Sequence, residues 1–326
     1  MLDAVVVAAP MQPPHAGHRA ALERAAARGR TVVALLLGAD AAPTLQTPWT
    51  TDERRALLHT AWPHAAGREV LAVRDVPYDR SRWSAAIARR VREHCGRDAT
   101  IGVIGGDAVP WPARWQRLEH AVRFDDDERA LRDAVLAERA PAADDLARRV
   151  SPAQAAALLG WRDGAGGQRL LEEAAFIRAF RARWASAPYP PVFVTVDALV
   201  TWRDDILLIE RERAPGEGLW ALPGGFIEQD ETLEAGARRE LAEETGLSVP
   251  LATLRTSRVF DAPGRSLRGR TITHAFHYDL SALPRRPAVR GADDARAAAW
   301  HPRETLAPQC LFEDHYAILQ VLAGLP

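Results

Sequence analysis

At 326 residues, with 42 Lys+Arg against 43 Asp+Glu and a formal net charge of −1, the chain is long enough for two ordinary domains and lacks the basic excess that a nucleic-acid partner requires. No apolar run reaches membrane length, and the start MLDAVVVAAP has neither the basic residues nor the cleavage site of a signal peptide, so a cytoplasmic protein with no membrane partner is expected. Every basic residue is arginine, which excludes Schiff-base lysine chemistry and a Walker A lysine. Cys95 and Cys310 stand far apart and argue against a zinc site or a disulfide framework.

In chain order, residues 4–9, 31–37, 69–73 and 100–104 read as buried strands, and segments near 16–28, 51–62 and 81–94 read as amphipathic helices. That alternation predicts a parallel sheet covered on both faces. After Arg129 the pattern turns helical, through RALRDAVLAERA and a second helix near 168–184, with an alanine-rich bias at 153–157. The stretch ASAPYPPV, 185–192, reads as a linker because its prolines cannot continue a helix. Beyond it the character becomes α+β. Strands are expected at 192–201 and 206–210 around a turn at 203–205, then a helix, strands near 251–260 and 271–279, and a last helix near 314–322.

The helix of the second half carries the densest chemistry. Glu240, Glu243 and Glu244 stand at i, i+3 and i+4, which puts three carboxylates on one face. Three anions this close repel unless a hard divalent cation joins them, and Mg²⁺ (Mn²⁺ as an alternative) suits oxygen ligands while leaving positions for water and phosphate. Leu233, Ala237 and Leu241 mark the buried face, Gly224 and Gly225 let backbone approach, Gly246 ends the helix, and Arg239 can pair with Glu231. Glu243 is expected as the general base, with Glu240 and Glu244 as the firmer metal ligands.

A second cluster follows the first strand, where His15, Gly17 and His18 open a helix. Its free N–H groups and dipole favour a phosphate, and two imidazoles there can hold a nucleotide triphosphate. Near the C-terminal half's strands, Arg265, Arg268 and Arg270 flank Phe260. From the residues alone this reads equally as a solvated basic hairpin or as forks for a phosphate beside an aromatic face.

Residues Gly225, Glu231, Arg239, Glu240, Leu241, Glu243, Glu244, Gly246 and Leu247 fill every fixed position of the Nudix box, G-x5-E-x7-R-E-U-x-E-E-x-G-U, and HAGH at 15–18 is similar to the H-x-G-H motif of nucleotidyltransferases. With TPWTTDER, VRDVPYDRSRW, ASAPYPP, LPGGFIEQDETL and VFDAPGRSLRGRTITHAF, the chain resembles, over nearly its full length, the bifunctional NMN adenylyltransferase and ADP-ribose pyrophosphatase family. The resemblance implies an α/β protein: a Rossmann-like nucleotidyltransferase domain with a parallel sheet at 1–185, then a Nudix α/β/α sandwich at 186–326. It implies hydrolysis of ADP-ribose with Mg²⁺, and NAD synthesis from ATP and nicotinamide mononucleotide.

The same resemblance places Pro48, Trp49, Arg54, Arg74, Asp75 and Trp83 around nicotinamide mononucleotide, puts Gly105, Gly106, Asp107 and Arg132 near ATP, and favours the substrate reading of Phe260 and its arginines. A homo-oligomer is compatible with it. Two departures bear on the first half. Ala9, Pro10, Met11 and Pro14 stand where Gly, Arg, Phe and Phe are usual. The hydroxyl-bearing ATP motif S-S-T-x-I-R aligns with Asp127, Glu128, Arg129, Ala130, Leu131 and Arg132, so only its arginine is kept and acids that repel a triphosphate replace the hydroxyls. The alternatives are a hydrolase with a degenerate first domain and a non-catalytic ADP-ribose-binding regulator. The intact carboxylates and the missing basic module argue against the regulator.

Overall fold

The nearly unbroken apolar stretch Leu2–Ala9 forms β1, the middle strand of a parallel sheet, and its alternate residues feed two cores. Val5, Val7 and Ala9 pack with Ala21, Leu22 and Ala25 on one face, while Val6 and Ala8 pack with Ile87 and Val91 on the other. The computed structural model describes residues 1–63, 66–119 and 124–326. Its chain divides into two units, Met1–Ala174 and Ala175–Pro326.

In the first unit, β1 is followed by α1 (Ala16–Ala26), β2 (Gly29–Leu36), α2 (Thr51–Ala61), β3 (Arg68–Ala72), α3 (Arg80–Cys95), β4 (Ile101–Gly105), the short β5 (Gln116–Arg117), α4 (Phe124–Val135), α5 (Ala143–Ala147), α6 (Pro152–Asp163) and α7 (Ala165–Ala182), which crosses the division. The sheet order β3-β2-β1-β4-β5 is parallel throughout, as the β-α-β alternation predicts. Strand order reverses between β1 and β4, so the loops leaving their carboxyl ends, which carry His15 and Gly106, border the crevice where such sheets take ligands. The alanine-rich stretch at 153–157 belongs to α6. Ser151 caps this helix reciprocally with Gln154, and Pro152 opens it.

The second unit holds β6 (Val192–Trp202), β7 (Asp205–Arg211), β8 (Trp220–Ala221), β9 (Gly224–Phe226), α8 (Leu233–Thr245), β10 (Leu254–Phe260), β11 (Arg270–Asp279), β12 (Ala295–Pro302) and α9 (His315–Leu322). The main sheet runs β10-β11-β6-β7-β12, parallel only between β6 and β11, with β8 on β7 and β9 on β6. Arg203, at φ +54°, turns the β6–β7 hairpin at the expected place. Strand β12 was not expected, because its sequence ARAAAWHP has little β character; its register with β7 forms it. α8 buries Ala237 and Leu241 against Val196, Ala198 and Tyr278, with Leu233 packed alongside, so its carboxylates stand on a helix fixed from behind. Among the described residues no helix is long and apolar enough to cross a membrane.

Candidate functional site

Thr232 caps α8 by accepting from Ala235 N, and Gly246 closes it in the left-handed conformation at φ +69°. Between these ends Arg239 is the hub. Its guanidinium reaches Glu231 at 2.7 Å, Glu240 at 2.9 Å and Glu243 at 2.8 Å, and also donates to the Phe226 carbonyl. The Glu231 hydrogen bond is the main reason the Arg239 charge is strengthened, and the same bond holds the Glu231 carboxyl below its ordinary range. The Arg239–Glu231 pair expected from the sequence is present, and it extends to two of the three box carboxylates.

The third carboxylate turns away. Glu244 accepts from Gly224 N at 2.8 Å and is buried, and burial pushes its carboxyl up to about 8. Burial also raises Glu240, which faces Gly225 so closely that a Cβ there would lie 2.5 Å from its carboxylate oxygen. Gly225 therefore makes room for a box carboxylate. Glu243 is the most exposed of the three. The three carboxylates thus share the helix face without converging: among the described residues the one group of three ligand atoms within 4.8 Å of one another is His15, His18 and Glu128. Two acids held by Arg239 and one held by the Gly224 amide explain the separation. All three remain oxygen donors beside a backbone cradle, which fits a hard divalent cation.

Behind β9 lies a layer that no motif marks. Buried Asp197 accepts from Thr273 Oγ1, stands 3.9 Å from His315 Nε2 and is raised by burial. His315 Nδ1 accepts from Leu222 N at 2.9 Å, and burial lowers the ring to about 3, so it stays neutral and pins the link between β8 and β9 that leads into Gly224. Glu313, at φ +44°, is pushed up to about 7 by burial beside Arg268. The acidic run before the last helix, EDH at 313–315, was the only available sign of it.

The arginine cluster is differently arranged from the expectation. Phe260 is fully buried and offers no face to an adenine, which corrects that assignment; the end of β10 turns it inward while the rest of the strand is mostly exposed. Arg265 is buried in a bidentate pair with Asp314, and Arg270 donates to the Asp261 carbonyl at 2.7 Å. Arg268 lies 5.1 Å over the ring of Phe226, which is exposed. Of the three arginines, Arg268 is the one set over an exposed aromatic ring.

In the first unit, His15 caps α1 and His18 is its third residue. Gly17 N donates to His15 Nδ1 at 3.0 Å. Gly105 ends β4, Gly106 follows it, and Asp107 is exposed and pairs with Arg117 at 3.2 Å. Arg132 donates to the Gln46 carbonyl at 3.1 Å. Asp75 accepts from Gly38 N and is raised to about 6 by burial, Arg74 lies 3.7 Å from Asp40, and Trp83 packs on the core beside Ile87. Trp49 and Arg54 are buried. Trp49 packs on Trp161, and the terminal nitrogens of Arg54 donate to the carbonyls of Pro10, Leu37 and Gly38, which ties the loops after β1 and β2 together. Asp127 and Arg129 are exposed, while Glu128 turns inward to His18.

A family profile described as NUDIX domain matches residues 191–322, and one described as Cytidylyltransferase-like matches residues 10–149. The chain is similar to a crystal structure of a bifunctional NMN adenylyltransferase/ADP ribose pyrophosphatase from Francisella tularensis, complexed with AMP and a manganese ion, at 26% identity, 99% coverage of both chains and a TM-score of 0.90. This chain belongs to the bifunctional NMN adenylyltransferase/Nudix hydrolase family. Among other members of the wider Nudix group, it is 36% identical over 127 residues to an ADP-ribose pyrophosphatase from Methanocaldococcus jannaschii, covering 39% of this chain and 70% of that one. It is also 43% identical over 79 residues to the ADPR responsive transcriptional repressor NtrR from Acinetobacter baylyi, covering 22% of this chain and 32% of the repressor.

Proposed function

We propose that the second unit hydrolyses ADP-ribose to AMP and ribose 5-phosphate. The observation that carries this reading is the Arg239 hub, which holds Glu231, Glu240 and Glu243 in one charge network beside the Gly224–Glu244 contact. Glu240, Glu243 and Glu244 would hold Mg²⁺ or Mn²⁺, which supplies polarisation of the diphosphate and a more acidic bound water. Glu243, the exposed carboxylate, takes the proton from the attacking water; the water oxygen bonds to one phosphorus and the bridging oxygen leaves with the other. Arg268 binds phosphate and the exposed Phe226 ring receives the base.

For the first unit, the family architecture and the His15–Gly17–His18 cap support transfer of AMP from ATP to nicotinamide mononucleotide, with release of pyrophosphate. Inward-facing Glu128 favours a second reading, in which transfer is weak or lost while the fold persists. We place the functional boundary at 185/186, in the proline-bearing stretch before β6, and the protein in the cytoplasm with its nucleotide substrates. Incubating the purified chain with ADP-ribose and Mg²⁺, and separately with ATP and nicotinamide mononucleotide, tests both readings. AMP with ribose 5-phosphate is expected from the first mixture, and intact ADP-ribose would refute hydrolysis.

A further inference from the structure

The start of α1 holds two imidazoles whose proton positions are fixed by the backbone. Gly17 N donates to His15 Nδ1 at 3.0 Å and His15 N donates to His18 Nδ1 at 3.2 Å. With each Nδ1 lone pair so engaged, each ring carries a proton on Nε2. Burial lowers His15 to about 4, which keeps it neutral. His15 is 5% exposed and His18 0%, and neither Nε2 has a hydrogen-bond partner among the described residues, although the Phe124 backbone faces His15.

Facing them from α4 is Glu128, 3% exposed, with Oε2 3.4 Å from His18 Nε2 and likewise without a hydrogen bond. The Phe124 ring stacks on His18 at 4.7 Å, so the helix that carries Glu128 is packed against the imidazole. Three ligand atoms within 4.8 Å of one another suggest a metal site. The tautomers oppose that reading, because an Nε2 that bears a proton has no lone pair for a cation. Two N–H donors at a helix N-terminus call for an anion, and Glu128 supplies it.

We propose that Glu128 is a specificity-determining residue, an internal carboxylate that takes the place of a substrate phosphate at the N-terminus of α1 and excludes polyphosphates from it. The anion site survives behind Glu128 and opens when that charge is removed. The proposal rests on reading the first unit as a nucleotidyltransferase fold, and it takes the second reading above, in which transfer is weak or lost because Glu128 keeps ATP phosphates out. Among the three acidic or basic residues at 127–129, it assigns the exclusion to the inward-facing one, since Asp127 and Arg129 are exposed.

The test is titration calorimetry of the full chain with inorganic triphosphate and no metal, comparing the unaltered protein with Glu128→Ser, Glu128→Gln and the double variant Glu128→Ser/His18→Ala. Both single variants should bind triphosphate at least tenfold more tightly than the parent, and the double variant should lose that gain, which separates this site from the arginines of the second unit. Glu128→Gln keeps the side-chain size and carries the test if Glu128→Ser does not fold. Equal affinity in the parent and in both single variants would overturn the proposal, as would stoichiometric Zn²⁺ binding by the parent that His18→Ala abolishes. NAD synthesis is measured separately. Tighter triphosphate binding without NAD formation supports the exclusion and refutes the transferase reading. Rapid NAD formation by the parent, unchanged in Glu128→Gln, refutes the exclusion and keeps the transferase.

Discussion

Two helices of this chain bring charged side chains together, and they resolve the problem in opposite ways. On α8 the acids are compensated: Arg239 joins Glu231, Glu240 and Glu243, and Glu244 takes the Gly224 amide. At the start of α1 compensation is incomplete, since His15 Nε2, His18 Nε2 and Glu128 Oε2 are buried and without hydrogen bonds among the described residues. A carboxylate set spread around one guanidinium can be regathered by a divalent cation, whereas a carboxylate placed against N–H donors occupies the position a phosphate would need. Membership of a bifunctional family thus carries different weight in the two units.

The comparison is broken most severely by removing the exposed carboxylate of α8. Glu243→Gln should lower turnover of ADP-ribose by at least ~10²-fold, the effect typical of a lost general base, with the melting temperature nearly unchanged because the side chain lies on a solvated face. Turnover within a few-fold of the parent would assign the base elsewhere, with half-buried Glu313 the next residue to substitute. Arg239→Ala tests the hub itself. It frees Glu231, Glu240 and Glu243 together, and a loss of roughly 10-fold to 10²-fold in turnover is expected from misplacement of the groups it positions. A parallel Arg239→Lys variant, retaining charge without the fork, should recover only part of this, and full recovery would show that charge alone suffices.

How far these sites could be read from the sequence depended on how local their geometry is. The carboxylate face of α8, its Gly246 stop and the Glu231–Arg239 pair all lie between residues 231 and 246 and follow from helical spacing. The parallel sheet of the first unit was equally legible, because its apolar runs alternate with amphipathic stretches. Contacts between distant segments were not legible. That Glu128, and not Asp127, faces His18 depends on the rotation of α4 against α1, and that Phe260 is buried while Phe226 is exposed depends on which sheet face each strand end presents. The alanine-rich strand β12 lacked the composition that marks strands, whereas α6 is rich in the best helix-forming residue and was read only as an alanine-rich bias.

Smaller effects sharpen the substrate side. Arg268→Ala should raise KM for ADP-ribose roughly tenfold, as for a lost charged hydrogen bond, with little change in turnover, since a guanidinium on a bound phosphate contributes mostly uniform binding. Phe226→Ala should raise KM roughly threefold through the lost ring contact. Unchanged KM in both variants would place the substrate away from this loop.

The smallest expected effect concerns stability of the first unit against pH. His15 falls from 6.5 to about 4 on folding, chiefly through burial. Its neutral form is the folded one, so its contribution is fully present above pH 6.5 and is lost as pH falls through about 4. His15→Asn, which keeps a capping side chain without titrating, should flatten this part of the profile, and thermal unfolding between pH 7 and 4 reads the difference.

The central claim is that the α8 network performs hydrolysis of ADP-ribose, and the most direct test is phosphorus NMR of the full chain with ADP-ribose and Mg²⁺, run beside Glu243→Gln. The parent should replace the diphosphate resonances with two phosphomonoester resonances, those of AMP and ribose 5-phosphate, while Glu243→Gln leaves the diphosphate essentially intact over the same period. Persistent diphosphate in the parent, or equal cleavage by both proteins, would contradict the account.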